Sequence, residues 1–294
     1  MAIRLLATDL DGTLLSHDGR ISEGNLRALN IAREAGLEVM FVTGRPPRWL
    51  PSIIEQTNFK GRIISANGGI VVDAATREVI QTFPMRTSDA LAAVHRMIEV
   101  IPGLEFGVER SQVGMRLADS GDLLALPTLE HEWSPNNEFV MTPGYKPHGA
   151  TAGQVPTGPI EELITDDRAV KIVARPPQGN TRNADELLDI ISNAIGDLLQ
   201  ATHSNIYDVL IEFSATGVTK GSTLAWVATS LGYSADEVAA VGDMPNDASM
   251  LTWAGNPFVV ANAHESLLRE FGNVLPRNDE DAVGQLLLEL AGAL

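Results

Sequence analysis

Short apolar runs alternate with amphipathic segments in the first part of the chain. Residues 3–8 form an apolar run that ends at acidic residues, and residues 38–42 and 62–65 form two more. Between the first two runs, residues 25–35 carry apolar side chains at helical spacing and stop at Gly36. Strands separated by helices in this way predict a parallel sheet with helices on its faces.

The last part of the chain repeats this alternation. Apolar runs at residues 238–241 and 258–260 predict two further strands. Helical spacing predicts four helices, at residues 223–231, 247–253, 265–271 and 282–290. The sheet of the first part is therefore expected to continue in the last.

The middle of the chain lacks this regular alternation. The pattern there predicts strands without helical crossovers at 78–83, 107–117 and 209–213, helices at 90–100 and 184–199, and a Gly- and Pro-rich irregular loop at 143–159. We therefore predict an α/β fold, with a Rossmann-like parallel-sheet core (a three-layer sandwich) and an inserted α+β cap domain. The predicted boundaries are 1–84 and 214–294 for the core and 85–213 for the cap.

Composition narrows the class of protein. Hydrophobic residues make up 44% and charged residues 20% of the 294 residues, as in soluble globular proteins. There is no apolar run of membrane-spanning length, no signal-peptide pattern and no cysteine, so we expect a cytoplasmic enzyme without disulfides or thiolate metal sites. The formal net charge of −17 argues against nucleic-acid binding. Nothing in the sequence predicts the oligomeric state.

The first candidate for chemistry is Asp9-Leu10-Asp11-Gly12-Thr13, at the end of the first predicted strand. Residues two apart on an extended chain point to the same side, so Asp9 and Asp11 can reach one site if the chain turns at Gly12. Asp9 would attack phosphorus, and Asp11 would protonate the leaving oxygen and then deprotonate the attacking water. The alternative is a strand followed by a plain Asp-Gly turn.

Two further candidates could hold a phosphoryl group. Thr43 and Gly44 follow the second predicted strand, and a hydroxyl with nearby backbone amides can bind phosphoryl oxygens. Lys220 stands at a predicted helix start, where it opposes the helix dipole unless an anion binds beside it. A turn and a surface lysine are the simpler alternatives.

The fourth candidate is Gly242-Asp243-Met244-Pro245-Asn246-Asp247, on a strand-to-helix loop. Two carboxylates and a carboxamide there suit a hard cation such as Mg²⁺. Helix capping by Asn246 or Asp247 is the alternative, although it does not account for Asp243. All four candidates fall at or near the carboxyl ends of predicted strands, where ligands bind in open parallel sheets.

With these motifs in order, the chain resembles the haloacid dehalogenase-like hydrolase superfamily, and most of all its Cof-type (subfamily IIB) phosphatases. The resemblance covers the whole chain and rests on Asp9-Leu10-Asp11-Gly12-Thr13-Leu14-Leu15, Thr43-Gly44-Arg45, Ser65-Ala66-Asn67-Gly68, Gly217-Val218-Thr219-Lys220-Gly221 and the Asp243 motif. It implies a Mg²⁺-dependent phosphomonoesterase that acts on small phosphorylated metabolites, such as sugar phosphates, through an aspartyl-phosphate.

The resemblance also implies a role for each motif residue. Asp9 is the nucleophile and Asp11 the general acid/base. The metal is bound by Asp9, by the backbone carbonyl of Asp11, by Asp243 and, through water, by Asp247. The phosphoryl group is bound by Thr43, Gly44, Lys220 and Asn246. The cap is expected to set specificity, with Arg110, Arg116, His148, Lys171 and Arg175 as candidates to meet the leaving group. A phosphomutase, or a ligand-binding homologue without turnover, remains an alternative.

Overall fold

A computed structural model describes residues 2–113, 115–117, 123–125, 138–147, 155–205 and 208–292. These residues form two sheets, and strands and helices are numbered in chain order. The large sheet contains β1 (Leu5–Thr8), β2 (Glu38–Val42), β3 (Arg62–Ser65), β4 (Ile70–Asp73), β5 (Glu78–Thr82), β7 (Met115–Leu117), β8 (Leu123–Ala125), β13 (Val238–Gly242), β14 (Asn256–Val260) and β15 (Val274–Leu275). The small sheet contains β6 (Glu105–Arg110), β9 (Phe139–Met141), β10 (Ala169–Arg175), β11 (Leu199–Thr202) and β12 (Ile211–Ala215).

The helices are α1 (Glu23–Glu34), α2 (Pro51–Thr57), α3 (Thr87–Val100), α4 (Ile160–Leu163), α5 (Ala184–Ile195), α6 (Lys220–Ser230), α7 (Ala248–Trp253), α8 (Glu265–Glu270) and α9 (Ala282–Gly292). We refer to the part built on the large sheet as the core and to the part built on the small sheet as the cap. Within the residues that the structure describes, no helix is both long and apolar enough to cross a bilayer.

The large sheet has a parallel centre. Its strand order is β15-β14-β13-β1-β2-β3-β4-β5-β7-β8, and the strands from β15 to β3 run parallel while the rest pair antiparallel. Thr8 at the end of β1 lies opposite both Phe41 of β2 and Val241 of β13. The carboxyl ends of these three strands therefore stand side by side, and the predicted α/β fold with a parallel sheet is confirmed.

The two largest apolar clusters among the described residues pack against the two sheets. One joins the strands of the core to α1, α6 and α9, and the other joins the antiparallel small sheet to α3 and α5. This partition is compatible with the predicted core and cap segments, whose exact boundaries stay a prediction. The hairpin β7–β8, from the predicted cap segment, extends the large sheet beyond β5.

Helix α6 begins in a way that places Lys220 at the site. The Thr219 side chain accepts a hydrogen bond from the backbone of Ser222, and the Ser222 hydroxyl accepts one from the backbone of Thr219. This reciprocal cap fixes the first turn. A side chain on Gly221 would come within 2.2 Å of the Ser249 carbonyl, so glycine allows α6 to pack closely on α7.

Several predicted elements differ from the observed ones. The strand predicted at 107–117 is wrong, because β6 ends at Arg110 and β7 begins at Met115 in the other sheet. The helix predicted at 184–199 ends at Ile195, residues 196–198 form a turn, and β11 begins at Leu199. Strand β10 was not predicted. Part of the predicted loop at 143–159, residues 148–154, lies outside the described residues.

Candidate active site

The site forms where three neighbouring parallel strands end. Asp9 directly follows β1, Thr43 directly follows β2, and Asp243 directly follows β13. The order β13-β1-β2 places these three residues next to one another at one edge of the sheet. The structure thus brings together residues that lie more than 200 positions apart in the sequence.

Three buried carboxylates form the centre of the site. Carboxylate oxygens of Asp9, Asp243 and Asp247 all lie within 4.8 Å of one another. The Lys220 ammonium, fully buried, donates to Asp9 Oδ1 at 2.7 Å and to Asp247 Oδ1 at 2.5 Å. One ammonium among three carboxylates leaves a formal charge of about −2, which a divalent cation would balance.

Burial and the neighbouring charges together shift the pKa values of these groups. Burial raises the pKa of Asp9 to about 7, although Lys220 opposes the shift. Burial, with Asp9 and Asp247 adding to it, also raises the pKa of Asp243 well above its usual range. Burial alone would lower the pKa of Lys220, but Asp247 and Asp9 together raise it. The lysine is therefore held as a cation, and its single positive charge does not balance the three described carboxylates.

The chain leaves space for a cation beside Asp243. Thr13 donates to Asp243 Oδ1 at 2.8 Å, while a side chain on Gly12 would stand 2.3 Å from Asp243 Oδ2. Gly12 has a φ of +78°, which glycine adopts without strain. Asp9 and Asp243 therefore fit as carboxylate ligands of a hard divalent cation.

Asp247 has a different arrangement. Its Oδ2 accepts hydrogen bonds from the backbone N–H groups of Asp243 and Met244, at 2.9 and 3.0 Å, and its Oδ1 accepts from Lys220. Both oxygens are thus held by protein donors. This favours contact with a cation through water over direct ligation.

Asp11 lies apart from the three buried carboxylates. Arg45 pairs with both of its oxygens, Nε to Oδ2 at 2.7 Å and Nη2 to Oδ1 at 2.6 Å. The Asp11 side chain is 54% exposed, whereas the Arg45 side chain is 16% exposed. Asp9 and Asp11 both line the same cavity, so the two predicted catalytic groups face one space.

That cavity lies between core and cap and has a volume of about 350 Å³. Of the predicted phosphoryl-binding residues, Gly44 and Asn246 line it, whereas Thr43 is buried and accepts from the Arg45 backbone. Lys220 reaches Asp9 but not the cavity surface. A phosphoryl group in the cavity could therefore contact Lys220 only where that group lies next to Asp9.

Sequence reasoning assigned no role to Asn67 or Glu212. Asn67 Nδ2 donates to the buried Glu212 carboxylate at 2.6 Å, and Asn67 Oδ1 accepts from Asn246 Nδ2 at 3.1 Å. Lys171 Nζ donates to Glu212 Oε1 at 2.8 Å and to the Gly44 carbonyl at 2.9 Å. These bonds form a buried chain from the cap to the loops that carry Gly44 and Asn246. The sequence signal was a charged residue, Lys171, inside an otherwise apolar stretch.

The other cap candidates have less direct positions. Arg110 donates to Asp166 at 2.8 Å, and Arg175 pairs with Asp208. Neither arginine lines the cavity. His148 and the Arg116 side chain lie outside the described residues.

Comparisons with known proteins agree with this architecture. A family model described as haloacid dehalogenase-like hydrolase matches residues 6–287. The chain is similar to the phosphatase YwpJ of Bacillus subtilis (28% identical, 98% of this chain, 100% of that protein) and to the pyridoxal phosphate phosphatase YbhA of Escherichia coli (25% identical, 98% of each). Its fold is similar to that of the subclass IIB sugar phosphatase BT4131 (TM-score 0.72, 18% identical, 99% of this chain, 100% of that one).

Proposed function

The chain belongs to the haloacid dehalogenase-like hydrolases, as its motifs predicted, and on that premise we propose that it is a Mg²⁺-dependent phosphatase of small phosphate monoesters that works through an aspartyl-phosphate. The observation that carries the proposal is the set of three buried carboxylates, Asp9, Asp243 and Asp247, that share the single ammonium of Lys220. Such a set is short of positive charge, and only Asp9 among the three carboxylates opens into the cavity.

Asp9 is the nucleophile in this proposal. Its Oδ atom forms a bond to phosphorus while the bond from phosphorus to the ester oxygen breaks. Lys220 stays beside Asp9 and stabilises negative charge on the transferring group, and the backbone at Gly44 contributes N–H donors. When bound by Asp9, Asp243 and the backbone carbonyl of Asp11, the cation would offset the charge of the phosphoryl oxygens.

Asp11 moves the protons. It gives one to the leaving oxygen in the first step. In the second step it takes one from the water that attacks phosphorus, while the bond from phosphorus to Asp9 breaks and inorganic phosphate leaves. The observed pairing with Arg45 leaves the Asp11 carboxylate as an acceptor, which is the form required in the second step. For the first step Asp11 has to release Arg45, and the half-exposed position of Asp11 permits this.

The test combines phosphate release with trapping of the intermediate. With phenyl phosphate and Mg²⁺, the protein should release inorganic phosphate, excess chelator should abolish the release, and Mg²⁺ should restore it. Acid quenching with a labelled ester should leave protein-bound phosphate that hydroxylamine removes. The label should be absent from Asp9→Asn. Full activity in excess chelator would overturn the metal dependence, and label on Asp9→Asn would overturn the assignment of the nucleophile.

A further inference from the structure

The described residues that line the cavity carry more negative than positive charge. The acidic ones are Asp9, Asp11, Glu109, Asp208 and Glu212. The basic ones are Arg45, Arg48 and Lys171. A divalent cation and a phosphoryl group would occupy the Asp9 end, so the rest of the cavity is left to the leaving group of the ester.

Each of these three basic side chains already holds a carboxylate. Arg45 pairs with Asp11 next to the phosphoryl-binding loop, so it serves the phosphate end of a substrate. Lys171 pairs with Glu212 at 2.8 Å, and both side chains are at most 5% exposed. Arg48 pairs with Glu109, with side chains 14% and 7% exposed.

The Arg48–Glu109 pair joins core to cap on the cavity wall. Its guanidinium stacks on the rings of Phe139, at 4.5 Å, and Trp49, at 5.3 Å, which fixes its position. Breaking a buried ion pair is costly because it leaves one charge without a partner. If a substrate carboxylate paired with Arg48, Glu109 would be left as a buried charge without a partner. If it did not pair with Arg48, the substrate carboxylate itself would lie unpaired beside Glu109.

One part of the described wall suits a neutral, partly apolar group. Phe139, Tyr145 and Val173 form an apolar surface on the cavity. Burial, with Glu109 and Glu212 nearby, raises the pKa of Tyr145 to about 12, although Arg175 opposes the shift. An added negative charge is therefore disfavoured at this wall as well.

We propose that the cavity selects phosphate monoesters whose leaving group carries no negative charge, and that Glu109 enforces this selection by neutralising Arg48. The inference rests on the proposed phosphatase activity. The substrate class is then the monophosphate of an uncharged alcohol with an apolar or ring portion. Bisphosphates and phosphorylated carboxylic acids are rejected.

A matched pair of esters tests the selection. 4-Carbamoylphenyl phosphate and 4-carboxyphenyl phosphate have nearly the same shape and differ in one negative charge. Wild-type kcat/KM should favour the carbamoyl ester by at least about 100-fold, because either arrangement of the carboxylate leaves a buried charge unpaired. A ratio near one, or a preference for the carboxylate, would overturn the inference while leaving the phosphatase proposal intact. If neither these esters nor phenyl phosphate is hydrolysed, both proposals fail.

Variants of the ion pair should move this ratio in opposite directions. Glu109→Gln frees Arg48 to pair with a substrate carboxylate, so it should lower the ratio of carbamoyl to carboxylate kcat/KM at least about tenfold. Arg48→Met leaves Glu109 without its partner and should raise the ratio. Both esters are assayed on the same preparation, so a partly unfolded variant changes both rates but not their ratio. Glu161→Gln, the same change in an exposed cap pair with His95, is the control and should leave the ratio unchanged. If Glu109→Gln left the ratio unchanged, the role of Glu109 would be merely structural, and its assignment as the residue that enforces the selection would be overturned.

Discussion

Replacing the proposed nucleophile should abolish turnover and, without metal, stabilise the fold. In Asp9→Asn the amide fits the same space and its oxygen can still accept from Lys220. The substitution removes one of three buried carboxylates that share a single ammonium. Lys220 then stands opposite Asp247, and the crowding of negative charge is relieved.

The size of the effect follows from the pKa of Asp9. Burial raises that pKa from 3.8 to about 7, so the ionised side chain opposes folding above pH 3.8. Each pKa unit corresponds to about 1.36 kcal/mol, which gives Asp9→Asn a gain of up to about 4 kcal/mol at pH 8. The gain should be near zero at pH 4, grow up to about pH 7 and stay constant above it.

Denaturant unfolding of the metal-free proteins, followed from pH 4 to pH 8, measures this gain. Asp189→Asn makes the same change on the exposed face of α5 and should alter the free energy of unfolding little at any pH. Saturating Mg²⁺ should stabilise the wild type more than Asp9→Asn, because the stability that a ligand adds to the native state increases with the logarithm of its affinity. A metal-free Asp9→Asn that is less stable than the wild type at pH 8, or a gain that does not depend on pH, would refute the reasoning.

Three further substitutions test other parts of the structure. Lys220→Ala should lower kcat by about 10²–10³ in steady-state assays, since a fixed cation acts mainly on the transition state; a higher KM at constant kcat would contradict this. Gly12→Ala, which places a methyl group 2.3 Å from Asp243 Oδ2 at a φ of +78°, should weaken Mg²⁺ binding in calorimetric titration, and unchanged affinity would contradict the site. Hydrogen bonds from Ser234 and then Arg4 lower the pKa of Glu237 to about 2, so its contribution to stability is complete above pH 4.5 and is lost as pH falls towards 2. Denaturant titrations of Glu237→Gln should therefore converge with the wild type at low pH and diverge above it.

The α/β fold with its parallel sheet could be predicted from the sequence because the signals there are local. Asp9 and Asp243 each end an apolar run, and the parallel pairing of such runs brings their ends together. The cap was predicted less well. The strand pattern at 107–117 continues across the point where the chain passes from the small sheet to the large one. Period-two alternation does not indicate which sheet a strand joins, so the sequence could not reveal this break.

The partners of the site residues depend on contacts that the sequence does not indicate. Arg45 was part of a predicted motif, yet nothing local indicates that its guanidinium pairs with Asp11, 34 residues away. Strand β10 was missed because Lys171 interrupts its apolar pattern. That lysine is buried only because Glu212, from another strand, stands beside it.

The buried chain from Lys171 and Glu212 to the core loops limits how freely caps can be exchanged. In a chimera that carries a cap from a relative, the Gly44 carbonyl and the Asn67 amide would lose their partners unless the new cap supplied a lysine and a glutamate at matching places. Recombination between such genes should therefore give active enzymes mainly when the transferred cap contains counterparts of Lys171 and Glu212. Substrate range can then diversify by changes at the cavity wall while the pair stays fixed.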